Sequence, residues 1–233
     1  MLHKFHCDIS ILKQVVNEIR AQFETDTDRL AIITPDLYAE TVDFLNNYFI
    51  PSEPLCISFG VTMSKAFRSK VIRCLQASLS VCLINTTTGQ IIGILTIEIV
   101  QKSDPPFDPS NISDEQLREC ARFNHQKEGD LHIFERFDSD MAVNFFTLVV
   151  NPKYRQLGIG SRVFMAAVAM CKGLGIKGIR GEGTSNFSQL IFEKNGFETL
   201  FTMPYDNYKT PSGRTIQETS GEHTSSKLYV LKL

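Results

Sequence analysis

Apolar residues recur at helical spacing near the start of the chain. From residue 9 to residue 24 they occur at about every third or fourth position, namely Ile9, Ile11, Leu12, Val15, Val16, Ile19 and Phe23. That period predicts an amphipathic helix. A short apolar run over 30–34 follows and predicts the first strand.

A second helix is predicted to begin after this strand, because Thr34 supplies a capping hydroxyl and Pro35 favours the first helical position. The pattern carries this helix to about residue 49, where two prolines end it and leave a loop over 51–55. A further helix is predicted over 62–76.

Two β-rich runs, 77–85 and 90–101, are separated by a short turn-forming segment and predict a hairpin. A polar helix is expected over 113–127. The stretch 138–150 ends in an unbroken apolar run, which is typical of a central strand buried on both faces.

The last third of the chain alternates helices with strands. A helix starts near Gly160 and ends at Gly173, and a polar loop is expected over 212–226. The remaining pattern predicts strands over 177–181, 197–203 and 227–233 and a helix over 186–194. Such alternation, with a hairpin in the middle of the chain, predicts one α/β (α+β) domain around a mixed sheet.

Composition narrows the function classes. The chain has 233 residues, a net charge of −2 and a pI of about 6.2. It therefore has no electrostatic basis for binding nucleic acid, an affinity that comes largely from basic residues on phosphates. No apolar stretch approaches the ~20 residues of a membrane span, and the first ten residues lack a signal-peptide pattern. We expect a cytoplasmic protein that binds neither nucleic acid nor membrane.

The six cysteines are scattered along the chain at positions Cys7, Cys56, Cys74, Cys82, Cys120 and Cys171. None forms a CxxC pair, and the group His3, His6 and Cys7 lacks a second pair of metal ligands. This pattern predicts buried thiols in a reducing compartment and no bound metal.

Residues 149–160 form the most informative segment. An apolar strand ends, a turn follows, and Gly158 and Gly160 stand where a helix starts. Backbone N–H groups at a helix N-terminus have no partner within the helix and carry partial positive charge. Glycines, which have no Cβ, let a phosphate approach those groups, and Arg155 can add a positive charge.

Other phosphate-binding motifs fit this segment less well. A Rossmann fingerprint requires a third glycine where this chain has Val163, and the P-loop sequence is absent. A glycine turn with a purely structural role stays open as the alternative.

The segment Arg155-Gln-Leu-Gly158-Ile-Gly160 resembles the pyrophosphate-binding motif of the GNAT acetyltransferases. A second segment, Phe192-Glu-Lys-Asn-Gly-Phe197, is similar to the family's later motif, in which a helix ends and Gly-Phe starts the next strand. The resemblance implies a single GNAT-type domain with a mixed, mostly antiparallel, twisted sheet, a splayed central strand pair and flanking helices. It also implies acetyl-CoA as co-substrate, bound by Leu148, Val149, Val150, Arg155, Gln156, Leu157, Gly158, Ile159, Gly160 and Ser161.

Within that superfamily the chain most resembles the invertebrate arylalkylamine N-acetyltransferases. The segments that carry this likeness are 53–55, 132–137, 184–188 with 192–197, and 201–209. The match covers residues 28–233, and residues 1–27 are expected to form an added N-terminal helix. The resemblance implies transfer of the acetyl group to the primary amine of a small arylalkylamine, such as dopamine, serotonin, tyramine or octopamine. We expect direct attack in a ternary complex, and a monomer.

Acetyl transfer needs a base, because a protonated amine has no free electron pair. Glu53 is the candidate, since the resembling enzymes place their proposed catalytic glutamate in the same Glu-Pro-Leu setting. A solvated loop carboxylate is the alternative. The thioester carbonyl also needs a fixed donor for its developing charge, and GNAT folds take this donor from the backbone of the splayed strand, here residues 148–150.

Phe192 stands where many GNAT enzymes have a tyrosine that protonates the departing thiolate. Without that phenol, the role must fall elsewhere. Thr184 and Ser188 are four residues apart, one helical turn, and can face the same point. The resembling enzymes have two serines at these places, proposed to act with the glutamate. An ordinary helix N-cap is the alternative for Thr184 or Ser185.

Other functions stay open beside the arylalkylamine transferase. An acidic acceptor groove would favour a polyamine N-acetyltransferase, and an open groove would favour a protein N-acetyltransferase. A GNAT fold that holds acyl-CoA without turnover is the third alternative, to which the absence of the tyrosine and the presence of Thr184 both point.

Overall fold

The structure, a computed structural model, describes residues 9–126 and 131–233. In this part of the chain seven strands form one sheet in the order β1-β2-β3-β4-β5-β7-β6. They are β1 (Asp28–Ile32), β2 (Val81–Asn85), β3 (Ile91–Gln101), β4 (Met141–Val150), β5 (Gly178–Gly183), β6 (Glu198–Pro204) and β7 (Ser225–Lys232). Only β4 and β5 run parallel in this sheet, and the other neighbours are antiparallel. The expected mixed, mostly antiparallel sheet is confirmed.

Helices cover both faces of the sheet. They are α1 (Ile9–Phe23), α2 (Tyr38–Phe44), α3 (Pro54–Phe59), α4 (Lys65–Gln76), α5 (Glu115–His125), α6 (Ile133–Phe137), α7 (Ile159–Gly173) and α8 (Asn186–Lys194). The face covered by α1, α7 and α8 is called the α7 face, and the face covered by α2–α5 is called the α4 face. Each closes over its own apolar core. Among the helices of the described residues, none combines the length and the apolar character that a membrane span requires.

The first helix packs along α7. Val15 and Val16 are buried in the core that α7 also enters. Arg162 of α7 forms two hydrogen bonds of 2.7 Å with the Asp28 carboxylate and donates a third, of 3.0 Å, to the carbonyl oxygen of Phe23. These bonds fix the end of α1 and the start of β1 onto α7. His3, His6 and Cys7 lie outside the described residues, and the division between 1–27 and 28–233 stays a prediction.

Two segments before β2 differ from the sequence expectation. The segment 51–55 is not all loop, because Pro54 occupies the first position of α3 and the Glu53 carboxylate caps that helix. The helix predicted up to residue 49 is not continuous. It opens as a 3-10 turn, continues as α2 and ends in a π-helical turn over Leu45–Phe49.

The central strand also starts later than expected, at Met141 instead of residue 138. The short helix α6 occupies the preceding residues, and Asp138 ends it in the left-handed region with φ of 51°.

The parallel pair of strands parts halfway along β4. Phe145 and Gly181 are the last residues paired between β4 and β5, although both strands continue beyond them. A bulge lies at the same level, since β3 pairs with the residues on either side of Phe146 and leaves Phe146 as the extra residue. Beyond this point β4 has no partner on its β5 side within the sheet. The expected splayed central strand pair is confirmed.

Candidate active site

The segment that follows β4 turns sharply into α7. Asn151 accepts a hydrogen bond from the N–H of Lys153 (3.1 Å) and so starts a short 3-10 turn. The backbone of Gln156 then takes φ of 64°, and Gly158, at the N-cap of α7, takes φ of 74°. A residue with a side chain would be strained at Gly158. The predicted glycine-rich helix start is therefore present, with its N–H groups at the surface.

Gly160 lies where α7, β4 and α8 approach one another. A Cβ there would lie 3.4 Å from Cγ2 of Val150 and 3.7 Å from Cδ1 of Ile191. The absent side chain thus keeps open a narrow space beside the first N–H groups of α7. Leu157 is 65% exposed, so this loop faces solvent. A diphosphate fits such a site, because unpaired amides and the helix dipole both favour an anion.

Arg155 connects this loop with the segment that carries the candidate base. Its Nη2 donates to the hydroxyl of Ser52, and its Nε donates to the carbonyl oxygen of Val150, both at 3.4 Å. Ser52 directly precedes Glu53 in the chain. The guanidinium therefore links the loop before α7 to the residue that precedes Glu53.

Glu53 is a buried residue, 9% exposed, at the N-cap of α3. Its Oε2 accepts a hydrogen bond from the N–H of Cys56 at 2.5 Å. Its Oε1 is buried and has no hydrogen-bond partner among the described residues. The alternative of a solvated loop carboxylate therefore does not describe this side chain. One oxygen caps the helix, and the other makes no hydrogen bond among the described residues.

Tyr205, which directly follows β6, is the residue beside Glu53 that sequence reasoning missed. Its side chain is fully buried, and its hydroxyl donates to the carbonyl oxygen of Thr184 at 2.6 Å. Burial raises the pKa of the Tyr205 phenol, and the negative charges of Glu53 and Glu182 raise it further. The phenol therefore stays protonated and acts as a donor. The sequence did offer one signal for Tyr205, because it lies in the segment 201–209, which resembles the arylalkylamine N-acetyltransferases.

Thr184 and Ser188 flank the start of α8. Ser185 is the N-cap, and it forms a capping box with Ser188: each hydroxyl accepts from the backbone N–H of the other residue at 3.1 Å. The Ser188 hydroxyl lies 3.0 Å from the carbonyl oxygen of Ser185, to which it donates. Thr184 precedes the N-cap, so the spacing of one helical turn assumed from the sequence does not apply to it. The Tyr205 hydroxyl bonds to the carbonyl oxygen of Thr184, and Tyr205 in turn lies near Glu53.

Phe192 belongs to the core of the α7 face. Its ring stacks on Tyr229 with centroids 4.7 Å apart and meets Phe164 and Phe197 edge-on at 5.0 Å each. The ring therefore packs in an aromatic cluster that includes the phenol ring of Tyr229.

Phe146, the bulge residue of β4, faces the α4 side. Its half-buried ring meets Phe67 edge-on at 6.2 Å, and Nζ of Lys70 lies 5.3 Å above it. Lys70 also pairs with Glu98 of β3. An aromatic side chain therefore stands beside the point where the central strands part.

No protein-family model matches the sequence. Solved structures match its fold. Arylalkylamine N-acetyltransferase 2 from Aedes aegypti superposes with a TM-score of 0.81 at 19% identity, over 88% of this chain and 98% of that one. The Drosophila melanogaster polyamine N-acetyltransferase, described as catalysing the formation of N-acetylagmatine, gives 0.76 at 16% identity, over 88% of this chain and all of that one. Arabidopsis thaliana NAA60 in complex with acetyl-CoA gives 0.53 at 15% identity, over 89% and 100%.

These similarities in fold confirm the resemblance to the GNAT acetyltransferases that the sequence motifs indicated. The order of strands, the single parallel pair and its parting agree with that fold. The chain has the fold of the GNAT N-acetyltransferases.

Proposed function

We propose that this chain transfers the acetyl group of acetyl-CoA to the primary amine of a small arylalkylamine of the dopamine, serotonin, tyramine or octopamine type. The observation that carries the proposal is the buried Oε1 of Glu53, which has no partner among the described residues. A buried polar atom without a partner costs free energy. This cost is explained if Glu53 is a base whose Oε1 accepts the proton of the amine substrate.

The residues after β4 fit the cofactor. Acetyl-CoA, when bound, supplies an acetyl group activated as a thioester. The N–H groups at the start of α7, the space beside Gly160 and the charge of Arg155 suit its diphosphate. Gln156, Leu157, Ile159 and Ser161 complete the motif and stay predictions as contacts. A neighbour of the same fold described with acetyl-CoA supports this choice of co-substrate.

The backbone of residues 148–150 supplies the donor for the acetyl carbonyl oxygen. These residues lie on the part of β4 that has parted from β5. N–H groups turned toward the open side are held in place by the pairing with β3 on the other side. Fixed donors of this kind stabilise developing negative charge without reorganising.

Glu53 then takes the proton of the amine, directly or through water, and so frees the electron pair for attack. Thr184 and Ser188 are our candidates for returning a proton to the sulfur, since they stand at the end of β5 where the strands have parted. Tyr205 acts as a positioning residue, because its hydroxyl holds the carbonyl of Thr184.

Direct transfer in a ternary complex agrees with the burial and the raised pKa values of the cysteine thiols. All five cysteines within the described residues are buried. Burial raises the pKa of Cys74 and of Cys82 to about 12 and raises the pKa of Cys56 further still. A thiol in that state is a poor nucleophile. Initial-rate plots should therefore intersect, and parallel lines or an acetylated cysteine in the mass spectrum would contradict the ternary mechanism.

The aromatic side chains of the α4 face support an aromatic acceptor. Phe146 lies at the parting of the strands beside Phe67, and rings of this kind favour edge or stacked contacts with an aryl group. Neighbours of the same fold include both arylalkylamine and polyamine enzymes, so a polyamine acceptor is the second candidate.

A turnover screen tests the proposal. Acetyl-CoA is offered with aromatic monoamines, polyamines and peptides, and release of free CoA thiol is measured. We expect the highest kcat/KM for aromatic monoamines. A higher value for polyamines or peptides would overturn the acceptor class. Binding of acetyl-CoA without turnover of any amine would identify an acyl-CoA-binding module instead. The monomeric state and the cytoplasmic location stay predictions.

A further inference from the structure

A second carboxylate, that of Glu182, stands on β5 where the central strands part. Gly181, just before it, is the last β5 residue paired with β4, whereas Glu182 itself pairs only with Leu228 of β7. Glu182 is half-buried. Its backbone is therefore held by the sheet on one side and borders the opening on the other.

The side chain of Glu182 points to the α4 face. A Cβ on Gly181 would meet the ring of Phe192, which belongs to the α7 face. Successive residues of a strand point to opposite faces. Glu182 thus lies on the same side of the sheet as Glu53, the candidate base.

Tyr205 joins the two carboxylates into one neighbourhood. Its hydroxyl bonds to the carbonyl oxygen of Thr184, two residues after Glu182. The burial of Tyr205 is the main cause of its raised pKa, and the charges of Glu53 and Glu182 both add to it. Cys120 of α5 also acts on the Tyr205 phenol, and Arg180 lies two residues before Glu182 on β5, where the alternation of a strand points it to the same face.

We propose that Glu182 binds the acceptor as an ammonium ion and that Glu53 then removes the proton. The inference rests on the proposed function and names the form in which the substrate enters. Primary alkylamines are protonated at neutral pH, as the lysine side chain is, so the species that meets the enzyme is a cation. Glu53 has one oxygen engaged in capping α3 and one without a partner among the described residues.

This division makes Glu182 a specificity-determining residue. It favours acceptors that carry net positive charge, including the polyamines named as the second candidate, over zwitterionic amines, whose own carboxylate would be repelled. It also separates binding from chemistry. Loss of Glu182 should weaken substrate capture, whereas loss of Glu53 should slow the proton transfer.

The test compares Glu182→Gln, Glu182→Asp and wild type, with Glu18→Gln as the control. Glu18 is exposed on α1, on the opposite face of the sheet, and its replacement removes the same charge. The acceptors are phenethylamine and 2,2-difluoro-2-phenylethylamine, whose fluorines lower the basicity of the amine.

With phenethylamine we expect Glu182→Gln to raise KM about ten-fold, somewhat more than the loss of an exposed ion pair would cause because Glu182 is half-buried, with kcat within about two-fold. KM for acetyl-CoA should not change. The rise should be smaller with the difluoro amine, and Glu182→Asp should recover most of the loss. A folding defect would affect both amines and both substrates alike.

An unchanged KM in Glu182→Gln would overturn the inference, and so would a fall in kcat at unchanged KM. If Glu182→Gln does not fold, Glu182→Ala takes its place: equal KM increases for the two amines would contradict ammonium binding. Failure of the proposed function gives a different result, namely that wild type acetylates neither amine.

Discussion

The two faces of the sheet are built in contrasting ways. On the α7 face, Phe145, Phe164, Phe192 and Phe197 form a cluster of edge-on and tilted rings with centroid distances of 5.0 to 6.4 Å. On the α4 face, Glu53 is buried at the start of α3 with one oxygen that has no partner among the described residues. Both faces have an apolar core, but the core of the α4 face also encloses a buried carboxylate, which we propose serves the acceptor.

The contrast between the two faces indicates how the proposed cofactor binding and the proposed catalysis are separated in the molecule. Close apolar packing has one arrangement, so it holds the start of α7 and its N–H groups in a fixed place. A buried polar group without a hydrogen-bond partner in the protein costs free energy. That cost is recovered when a bound substrate supplies the partner. Mutations in the aromatic cluster of the α7 face should therefore reduce stability or cofactor binding, and mutations of the proposed catalytic polar groups on the α4 face should reduce catalysis.

The largest effect on stability should come from Phe164→Ala. The Phe164 ring is fully buried in the aromatic cluster, and removal of a buried phenylalanine ring costs about 3–5 kcal/mol of unfolding free energy. Urea denaturation measures the loss. Phe187→Ala serves as the control, because Phe187 is 64% exposed on α8 and should change stability by less than about 0.5 kcal/mol. Equal losses in the two variants would contradict the account of the α7 face.

Gly158→Asp should abolish the stabilisation that acetyl-CoA gives to wild type, since its carboxylate would lie among the N–H groups that attract a diphosphate. At a concentration of acetyl-CoA about 100-fold above Kd, that stabilisation is about 2.7 kcal/mol. The matched control is Gly175→Asp, at the other end of α7, where φ is 69° against 74° at Gly158.

Both of these variants carry the same backbone strain and the same new charge, and neither new Cβ would have a neighbour within 4 Å. Thermal shifts with acetyl-CoA should therefore be lost in Gly158→Asp and retained in Gly175→Asp. Retention in both would show that the cofactor loop is wrongly assigned.

Asp28→Asn should cost about 2 kcal/mol at neutral pH, since it breaks a buried, bidentate pair with Arg162. Although burial works to raise it, the bonds from Arg162 and Thr25 and the charge of Arg162 leave the pKa of Asp28 below its ordinary value of 3.8. The folded state therefore binds this proton less readily than the unfolded state. The stabilisation is present above pH 3.8 and is lost as pH falls below it through the lowered pKa.

Unfolding free energies at several pH values check this prediction. Asp28→Asn should lack that part of the acid dependence. Glu135→Gln is the control, because the pair of Glu135 with Lys102 is about half exposed and screened by solvent, so its loss should change stability far less than the loss of the buried pair. A larger loss of unfolding free energy in Glu135→Gln than in Asp28→Asn would contradict this prediction.

Ser188→Ala and Ser185→Ala separate capping from catalysis at the start of α8. Both remove one half of the capping box and should cost about 1 kcal/mol of stability. Only Ser188→Ala should also lower kcat, by about ten-fold, the value of one hydrogen bond to a charged sulfur. Equal kcat values in the two variants would limit Ser188 to its capping role.

The cofactor side of this account could be predicted from the sequence because its signals are local. The end of the apolar run of β4, the turn and the two glycines lie within the twelve residues 149–160, and the structure places them in that order. The helix over 186–194 and the splayed strand pair were likewise predicted correctly.

The acceptor side could be predicted only in part. Glu53 was named as the candidate base, which stays a prediction, but its capping of α3 depends on a helix that begins where prolines predicted a loop. Tyr205 reaches Thr184 from 21 positions along the chain, a contact that no local pattern reports. The pairing of Thr184 with Ser188 assumed a shared helix, whereas α8 starts only at Asn186.

The most direct test of the central claim is kcat/KM for one aromatic monoamine, measured from about pH 6.5 to about pH 9.5 for wild type and Glu53→Gln, with both proteins shown to be folded. If Glu53 removes the amine proton, Glu53→Gln should be slower by about 10²–10⁴-fold at neutral pH. The gap should narrow as pH approaches the pKa of the amine, because more substrate then arrives neutral. Affinity for acetyl-CoA should barely change. Overlapping profiles for the two proteins would remove Glu53 from the mechanism.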